Sequence, residues 1–299
     1  MNRIDIIGVP VDLGANRRGT DMGPSAMRYA GLRKALLDMG LEVTDHGNIE
    51  VPVPESIKVA NPHFLFLEEI LEVCEELGDR VFEVLERGGF PLVLGGDHSI
   101  AIGTLAGVCR SAGDPGLIWF DTHGDFNTFE TSETGNIHGM SLAAVTGRGH
   151  PDLVQLGGRA PKVREEKTVL IGVRDLDNKE KSMLGESKIT VFSMKKIDEL
   201  GMARVIKEAL LKAGGGGGIH VSFDLDVIDP AIASGVGTPV TGGLSYREAH
   251  LALELIAETK MLRSLEVCEV NPIVDIGGNR TARLAVELVT SALGKRIFY

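Results

Sequence analysis

The chain has 299 residues, 43% hydrophobic and 24% charged, with 42 acidic against 31 basic side chains and a formal net charge of −11. That length holds one large α/β core or two medium domains, and the composition is ordinary for a soluble globular protein. There is no basic run to grip a polyanion, no apolar run approaching the roughly 20 residues of a membrane span, and no CxxC spacing among Cys74, Cys109 and Cys268, which argues against nucleic-acid, membrane and disulfide-scaffold roles. The acidic balance suits a site that collects cations. With strand-like IDIIGVPVDL following almost at once on Met1, no leader is expected and the chain reads as cytoplasmic.

In chain order, IDIIGV near residue 4 reads as a strand. A helix is expected after Gly23 and Pro24, carrying Ala26, Tyr29, Ala30, Arg33, Leu36 and Leu37; Pro24 fits a first turn, where its missing N–H is not needed. A second helix spans about 67–87, with Ile70, Cys74, Leu77, Val81, Val84 and Leu85 on one face. Strands follow at FPLVLGG (90), GLIWFD (116), TVLIGVR (168) and KITVFS (188), then a helix over 201–213. The five glycines Gly214–Gly218 suit neither helix nor strand and read as a flexible turn. Beyond them come a strand at IHVSFDLD (219), a helix over 246–258, a strand at MLRSLEVCEV (261) and a helix over 281–293. This alternation predicts a mostly parallel sheet covered by helices on both faces, as a single three-layer α/β domain over residues 1–299.

Such sheets place ligands at the carboxyl ends of their strands. The polar residues cluster there: His98 after FPLVLGGD, Asp121, His123 and Asp125 after GLIWF, Asp177 after TVLIGVR, Asp224 and Asp226 ending IHVSF, and Glu269 ending MLRSLEVC. In DTHGD an extended backbone puts Asp121, His123 and Asp125 on one side, and DLD does the same for Asp224 and Asp226. Carboxylates at the end of an apolar strand are costly unless charge or hydrogen bonds compensate them. With His98 in GGDHS the set is four carboxylates and two imidazoles, enough to neutralise two divalent ions. Oxygen and imidazole ligands favour Mn²⁺ or a similar first-row ion, with a single-metal or Zn²⁺ site as the alternative. Two ions can share a bridging water, lower its pKa and orient it for attack.

These residues lie in segments that resemble the arginase/agmatinase (ureohydrolase) family. The matching stretches, in order, are GVPVDLGANRRGTDMGPSAMR near the N-terminus, GGDHS (95–99), DTHGDFNTFETSETGNIHG (121–139), SFDLDVIDP (222–230), GTPVTGGLSYRE (237–248) and EVNP (269–272). The resemblance implies that His98, Asp121, Asp125 and Asp224 bind one Mn²⁺ and that His123, Asp121, Asp224 and Asp226 bind a second. It implies that His138 handles protons and that Glu269 faces a guanidinium. Asn127, Thr128, Ser132, Gly135, Asn136 and His138 are similar to the loop of the arginase-like members, and that resemblance implies a substrate with an α-carboxylate, hence L-arginine over agmatine. Asn127 and Thr134 are implied to hold that carboxylate and Asp177 to face the α-amino group, with Asn136 and Thr238 placed among the substrate contacts. The implied reaction gives L-ornithine and urea, with a metal-bridging hydroxide as nucleophile and Asp125 relaying its proton to the departing nitrogen.

Three positions depart from the family pattern: Thr134 where serine is usual, Thr122 where alanine is commoner, and Val227 where glycine is usual. None removes a ligand. The chain is short after Leu293, which points away from the tail-mediated trimer of some family members, and the resemblance, through the family's bacterial members, implies a homohexamer. Rivals remain: agmatine, guanidinobutyrate or formiminoglutamate as substrate, or a metal or arginine sensor without activity. A nicotinamide dehydrogenase is disfavoured because no GxGxxG follows the first strand. His46, His63, His150, His220 and His250 are expected to be structural or on the surface.

Overall fold

The structure, a computed structural model, describes residues 2–57 and 64–296, so His63 lies outside the described residues. Eight strands form one sheet: β1 (Arg3–Val9), β2 (Glu42–Asn48), β3 (Phe90–Gly95), β4 (Gly116–Phe120), β5 (Thr168–Val173), β6 (Thr190–Ser193), β7 (Ile219–Asp224) and β8 (Leu262–Cys268). Their order is β2-β1-β3-β8-β7-β4-β5-β6, and every strand pairing is parallel. Between them run α1 (Gly23–Tyr29), α2 (Leu32–Asp38), α3 (Leu67–Glu86), α4 (Ile100–Ala112), α5 (Ser141–Val145), α6 (Pro151–Gln155), α7 (Asn178–Glu186), α8 (Met194–Leu200), α9 (Met202–Ala213), α10 (Tyr246–Glu258) and α11 (Arg280–Ala292).

A parallel sheet covered on both faces needs apolar side chains pointing both ways. In β3, β4 and β5 every residue is buried. Ile118 and Phe120 of β4 join a core with residues of α1, α2, α9, α10 and α11. Leu117 and Trp119, one residue out of phase, join the opposite core with residues of α3 and α4. The expected three layers are present.

Two features differ from the expectation. The first helix is two helices, because Gly31 takes a left-handed backbone (φ 93°) that glycine adopts at little cost and that ends α1. Tyr29 and Leu37, on these two helices, are 89% and 42% exposed. Nor did the sequence pattern mark α4 as a helix. Its residues 100–109 are all buried, so it has no polar face to betray a period. α4 packs closely on α3: a Cβ on Gly103 would lie 2.5 Å from the Cys74 carbonyl oxygen, and one on Gly107 2.4 Å from that of Gly78. The glycine run follows the end of α9 at Ala213 and forms a turn, with the Gly218 N–H donating to the Gly215 carbonyl at 3.1 Å.

Candidate active site

The strand order sets the carboxyl ends of β3, β8, β7 and β4 side by side. His98 follows β3, Glu269 follows β8 directly, Asp224 ends β7, and Asp121 follows β4 directly. The acidic motifs do not converge by extended backbone as expected. After Asp121 the chain leaves the sheet, and Asp125 has φ 48°. Leu225–Val227 is a 3₁₀ turn capped by Asp224, whose Oδ1 accepts the Asp226 N–H at 2.7 Å. Turns, rather than a shared strand face, aim these ligands inward. Asp125 and Glu269 (φ 63°) both hold the left-handed conformation that costs a non-glycine residue energy and tends to mark functional sites.

His98 Nδ1 lies 3.2 Å from Asp121 Oδ2, 3.1 Å from Asp125 Oδ2 and 3.2 Å from Asp224 Oδ2, yet makes a well-directed hydrogen bond to none of them. His123 Nδ1 lies 3.1 Å from Asp226 Oδ2 and 3.4 Å from Asp121 Oδ1. Among the described residues, three sets gather ligand atoms within 4.8 Å of one another: His98, Asp121 and Asp125; Asp121, His123 and Asp226; and His98, Asp224 and Cys268. Asp121 belongs to two of them, which gives two adjacent centres with a common carboxylate. Asp224 groups with His98 in the third set. Cys268 was not anticipated, having no second cysteine at ligand spacing; only the pairing of β7 with β8 sets it opposite Asp224.

The carboxylates crowd one another. Burial and then the charge of Asp121 push the Asp125 carboxyl up to about 6. Burial, followed by the charges of Asp226 and Asp121, holds Asp224 well above the usual carboxylate range. So many buried acids call for compensating positive charge, and His98 Nδ1 and Asp125 Oδ2 are buried without hydrogen-bond partners. The donor set of oxygen and imidazole fits a pair of divalent cations.

The surrounding side chains hold these groups in place. Thr122 Oγ1 donates to the Asp226 carbonyl at 2.6 Å, and Thr122 N–H to Asp226 Oδ1 at 3.2 Å. Thr238 Oγ1 donates to Asp226 Oδ2 at 2.9 Å, so this hydroxyl grips an acidic residue of the cluster. Trp119 Nε1 donates to Asp121 Oδ2 at 2.9 Å, and its ring stacks on His98 with centroids 4.1 Å apart. Arg174, which sequence reasoning missed, donates to the carbonyls of Asp226, Val227 and Val240 at 2.9, 3.1 and 2.7 Å. Val227 fills the space beside Gly172, where a Cβ would come within 2.2 Å of Val227 Cγ2.

Beside the cluster opens a cleft of about 330 Å³. Its walls include His123, Asp125, Asn127, Thr134, Asn136, His138, Asp177, Asp224, Asp226 and Thr238, which brings together ten of the residues expected at the site. His98, Asp121 and Glu269 lie behind it, each buried. Asn127 Nδ2 donates to Asp177 Oδ2 at 2.7 Å, while Asp177 Oδ1 caps α7 through the N–H groups of Lys179 and Glu180. Thr134 Oγ1 accepts the Asn136 N–H at 3.2 Å. Glu269 Oε1 accepts the His98 N–H at 3.0 Å and lies 3.1 Å from His138 Nδ1. Burial opposes a charge on His138, but the hydrogen bond and charge of Glu269 outweigh it and raise the imidazole to about 9.

Glu180 is a cleft residue that the sequence did not reveal. Its Oε1 accepts the Phe126 N–H at 2.9 Å, and burial pushes its carboxyl up to about 8. Three residues after the helix-capping Asp177, it reads in sequence as an ordinary acid of a first helical turn. His46, His150, His220 and His250 are absent from the cleft wall and bond to Asp5, the Asp152 N–H, Ser264 and Ser291 respectively.

Comparison with known proteins gives a consistent result. A family model described as the Arginase family matches residues 2–294. An arginase of Bacillus caldovelox is 51% identical over 300 residues, covering 99% of this chain and 100% of the relative. The native structure of Bacillus caldovelox arginase at pH 5.6 superposes with a TM-score of 0.96 at 50% identity, covering 100% of both chains. An Entamoeba histolytica arginase solved in complex with L-ornithine gives a TM-score of 0.90 at 29% identity, covering 99% of this chain and 100% of that one.

Proposed function

The chain belongs to the arginase family, and from that premise we propose that it hydrolyses L-arginine to L-ornithine and urea at a binuclear centre of two Mn²⁺ ions. The observation that carries this reading is the pair of ligand groups sharing Asp121 at the back of a cleft walled by Asn127, Thr134 and Asp177. His98, Asp121, Asp125 and Asp224 would hold one ion, and Asp121, His123, Asp224 and Asp226 the other. When bound, the cations supply the positive charge that lets water act as a nucleophile at neutral pH.

The protein's own groups do the rest. Asn127 spends one amide hydrogen on Asp177 and keeps the other for the substrate α-carboxylate, with the Thr134 hydroxyl beside it. Asp177, fixed at the head of α7, takes the α-amino group, and Asn136 and Thr238 complete the wall. Glu269 keeps Oε1 on His98 and His138 and offers Oε2 to the guanidinium, a charge-assisted contact. Asp125 takes the proton of the attacking water and passes it to the departing δ-nitrogen. His138, protonated near neutral pH, exchanges protons between that amine and solvent.

The same reading carries a single catalytic domain over residues 1–299, a homohexamer and a cytoplasmic setting. Among the described residues no helix is long and apolar enough to cross a membrane.

The test is urea release by Mn²⁺-loaded protein offered L-arginine, agmatine, guanidinobutyrate and, with formamide assayed, formiminoglutamate. Activity on arginine, abolished by chelation and restored by Mn²⁺, is expected. Preference for agmatine or guanidinobutyrate would overturn the assignment of the α-carboxylate contacts, and silence on all four would overturn the proposal.

A further inference from the structure

Behind His98 the face of the sheet that packs on α3 and α4 changes character. On β3, β4 and β5 it presents Val93, Leu117 and Leu170, all apolar. On β7 and β8, in the middle of the sheet, it presents His220, Ser222, Ser264 and Glu266, all fully buried. Parallel register sets Ser222 beside Glu266 and His220 beside Ser264. A buried carboxylate and imidazole cost stability where hydrophobic neighbours would pack as well, so this patch calls for a reason other than packing.

Hydrogen-bond direction supplies one. Ser222 Oγ donates to Glu266 Oε1 at 2.6 Å. With its only proton committed there, Ser222 must accept at its 2.7 Å contact with His98 Nε2. His98 then carries a proton on Nε2, and its Nδ1, facing Asp121, Asp125 and Asp224, is the nitrogen left to bind a cation. The chain needs Glu266 to offer an acceptor oxygen to the Ser222 hydroxyl, which a charged carboxylate does. Burial opposes that charge, but the hydrogen bond and charge of His220, the charge of His98 and the Ser222 hydroxyl hold the carboxyl below its ordinary range. His220 Nε2 lies 3.4 Å from Glu266 Oε1, and its Nδ1 is 2.8 Å from Ser264 Oγ.

We infer that Glu266 is a positioning residue for His98, acting through the Ser222 hydroxyl to fix the imidazole proton on the nitrogen that faces away from the cations. This rests on the reading of His98 as a cation ligand. His220, in turn, holds the Glu266 carboxylate in place. A hydrogen-bonded partner behind a ligating histidine is a general means of fixing its tautomer and its affinity for the ion.

The test is calorimetric titration of Mn²⁺ into metal-free wild type, Glu266→Leu, Ser222→Ala and the double variant, with melting curves to show that each is folded. Without its acceptor, the Ser222 hydroxyl is free to donate to His98 Nε2 and drive the proton onto Nδ1. Glu266→Leu should therefore weaken Mn²⁺ binding roughly ten- to a hundredfold. The double variant should bind no more weakly than Ser222→Ala, because the effect passes through that hydroxyl. Glu266→Gln, which keeps an acceptor oxygen, should recover most of the loss. Unchanged affinity in Glu266→Leu, or a further additive loss in the double variant, would overturn the inference. Should Glu266→Leu not fold, ¹⁵N-histidine spectra of the metal-free wild type, taken at a pH high enough that the His98 ring is neutral, decide the matter: a proton on Nε2 alone supports the inference and a proton on Nδ1 overturns it. Wild type that takes up no Mn²⁺ would instead sink the metal-centre reading itself, which separates the two failures.

Discussion

The Thr122 hydroxyl donates to the Asp226 carbonyl at 2.6 Å, so the two acidic motifs are fastened to each other as well as facing a common centre. The Thr122 N–H, which any residue supplies at this position, separately holds Asp226 Oδ1. Arg174 still bonds the Asp226 carbonyl when the hydroxyl is removed. Thr122→Ala should therefore lose about 1 kcal/mol of stability in urea unfolding while keeping near-normal Mn²⁺ affinity. A large loss of Mn²⁺ affinity would show that the hydroxyl, rather than the backbone, places Asp226.

Asn127 is argued to act on the substrate and not on the metal. Asn127→Ala should raise KM for L-arginine roughly tenfold or more, the worth of a hydrogen bond to a charged group. Mn²⁺ titration curves should be unchanged. An unaltered KM would remove Asn127 from the α-carboxylate contacts.

Protons compete with cations for the buried acids. The Asp125 carboxyl lies at about 6 in the metal-free protein, burial and its acidic neighbours hold Asp224 protonated above its ordinary range, and the neighbouring acids do the same for His98 and His123 against burial, so Mn²⁺ affinity should keep rising with pH above 6. Below 6 it should fall more steeply, by at least about tenfold per pH unit, as Asp125 too must first give up its proton. Competition titrations at pH 5, 6, 7 and 8 would read this directly, and a flat profile across pH 6 would contradict the crowding of Asp121 and Asp125.

Lys162 is 1% exposed, and its Nζ donates to the carbonyls of Leu153 and Val154, both at 2.9 Å, near the end of α6. Burial lowers its ammonium to about 8. Its folded value lies below the unfolded one, so between about 8 and 10.5 the unfolded chain holds more protons and stability gains from rising pH. Below that window the buried charge is a standing cost. In urea unfolding, the advantage of wild type over Lys162→Met should grow from pH 7.5 to pH 9.5, by about 2 kcal/mol. A constant gap would mean that Lys162 holds its proton as firmly in the folded protein as in the unfolded chain, so that burial does not lower its ammonium.

The sequence displayed the sheet wherever side chains were apolar on both faces, as in FPLVLG and TVLIGV. β2 escaped notice because EVTDHGN is an edge strand with almost every side chain outward, which leaves no apolar run to read. α4 escaped for the opposite reason, being buried all round. At the site, the positions of Asp121, Asp125, Asp224 and Asp226 were legible, but the geometry that joins them was not, since the turn after Phe120 and the 3₁₀ turn at 225–227 depend on tertiary contacts. Glu180, Arg174 and Cys268 were invisible because each sits in a local pattern common to helices, strand ends and cores. Thr238 was legible as a site residue, but its bond to Asp226 was not.

The strand order also governs when during its life the protein can come together. β1, β2 and β3 pair among themselves, and so do β4, β5 and β6, yet no strand pairing joins the two groups until β7 and β8 slot between β3 and β4. A ribosome that has made two thirds of this chain therefore holds two half-sheets, each with an apolar edge facing water. The pairings that close the sheet are among its most distant in sequence, so their formation is slow and the wait is spent in an aggregation-prone state. The residues that complete the site arrive on those closing strands, which makes an intact metal centre a report that the whole chain has folded.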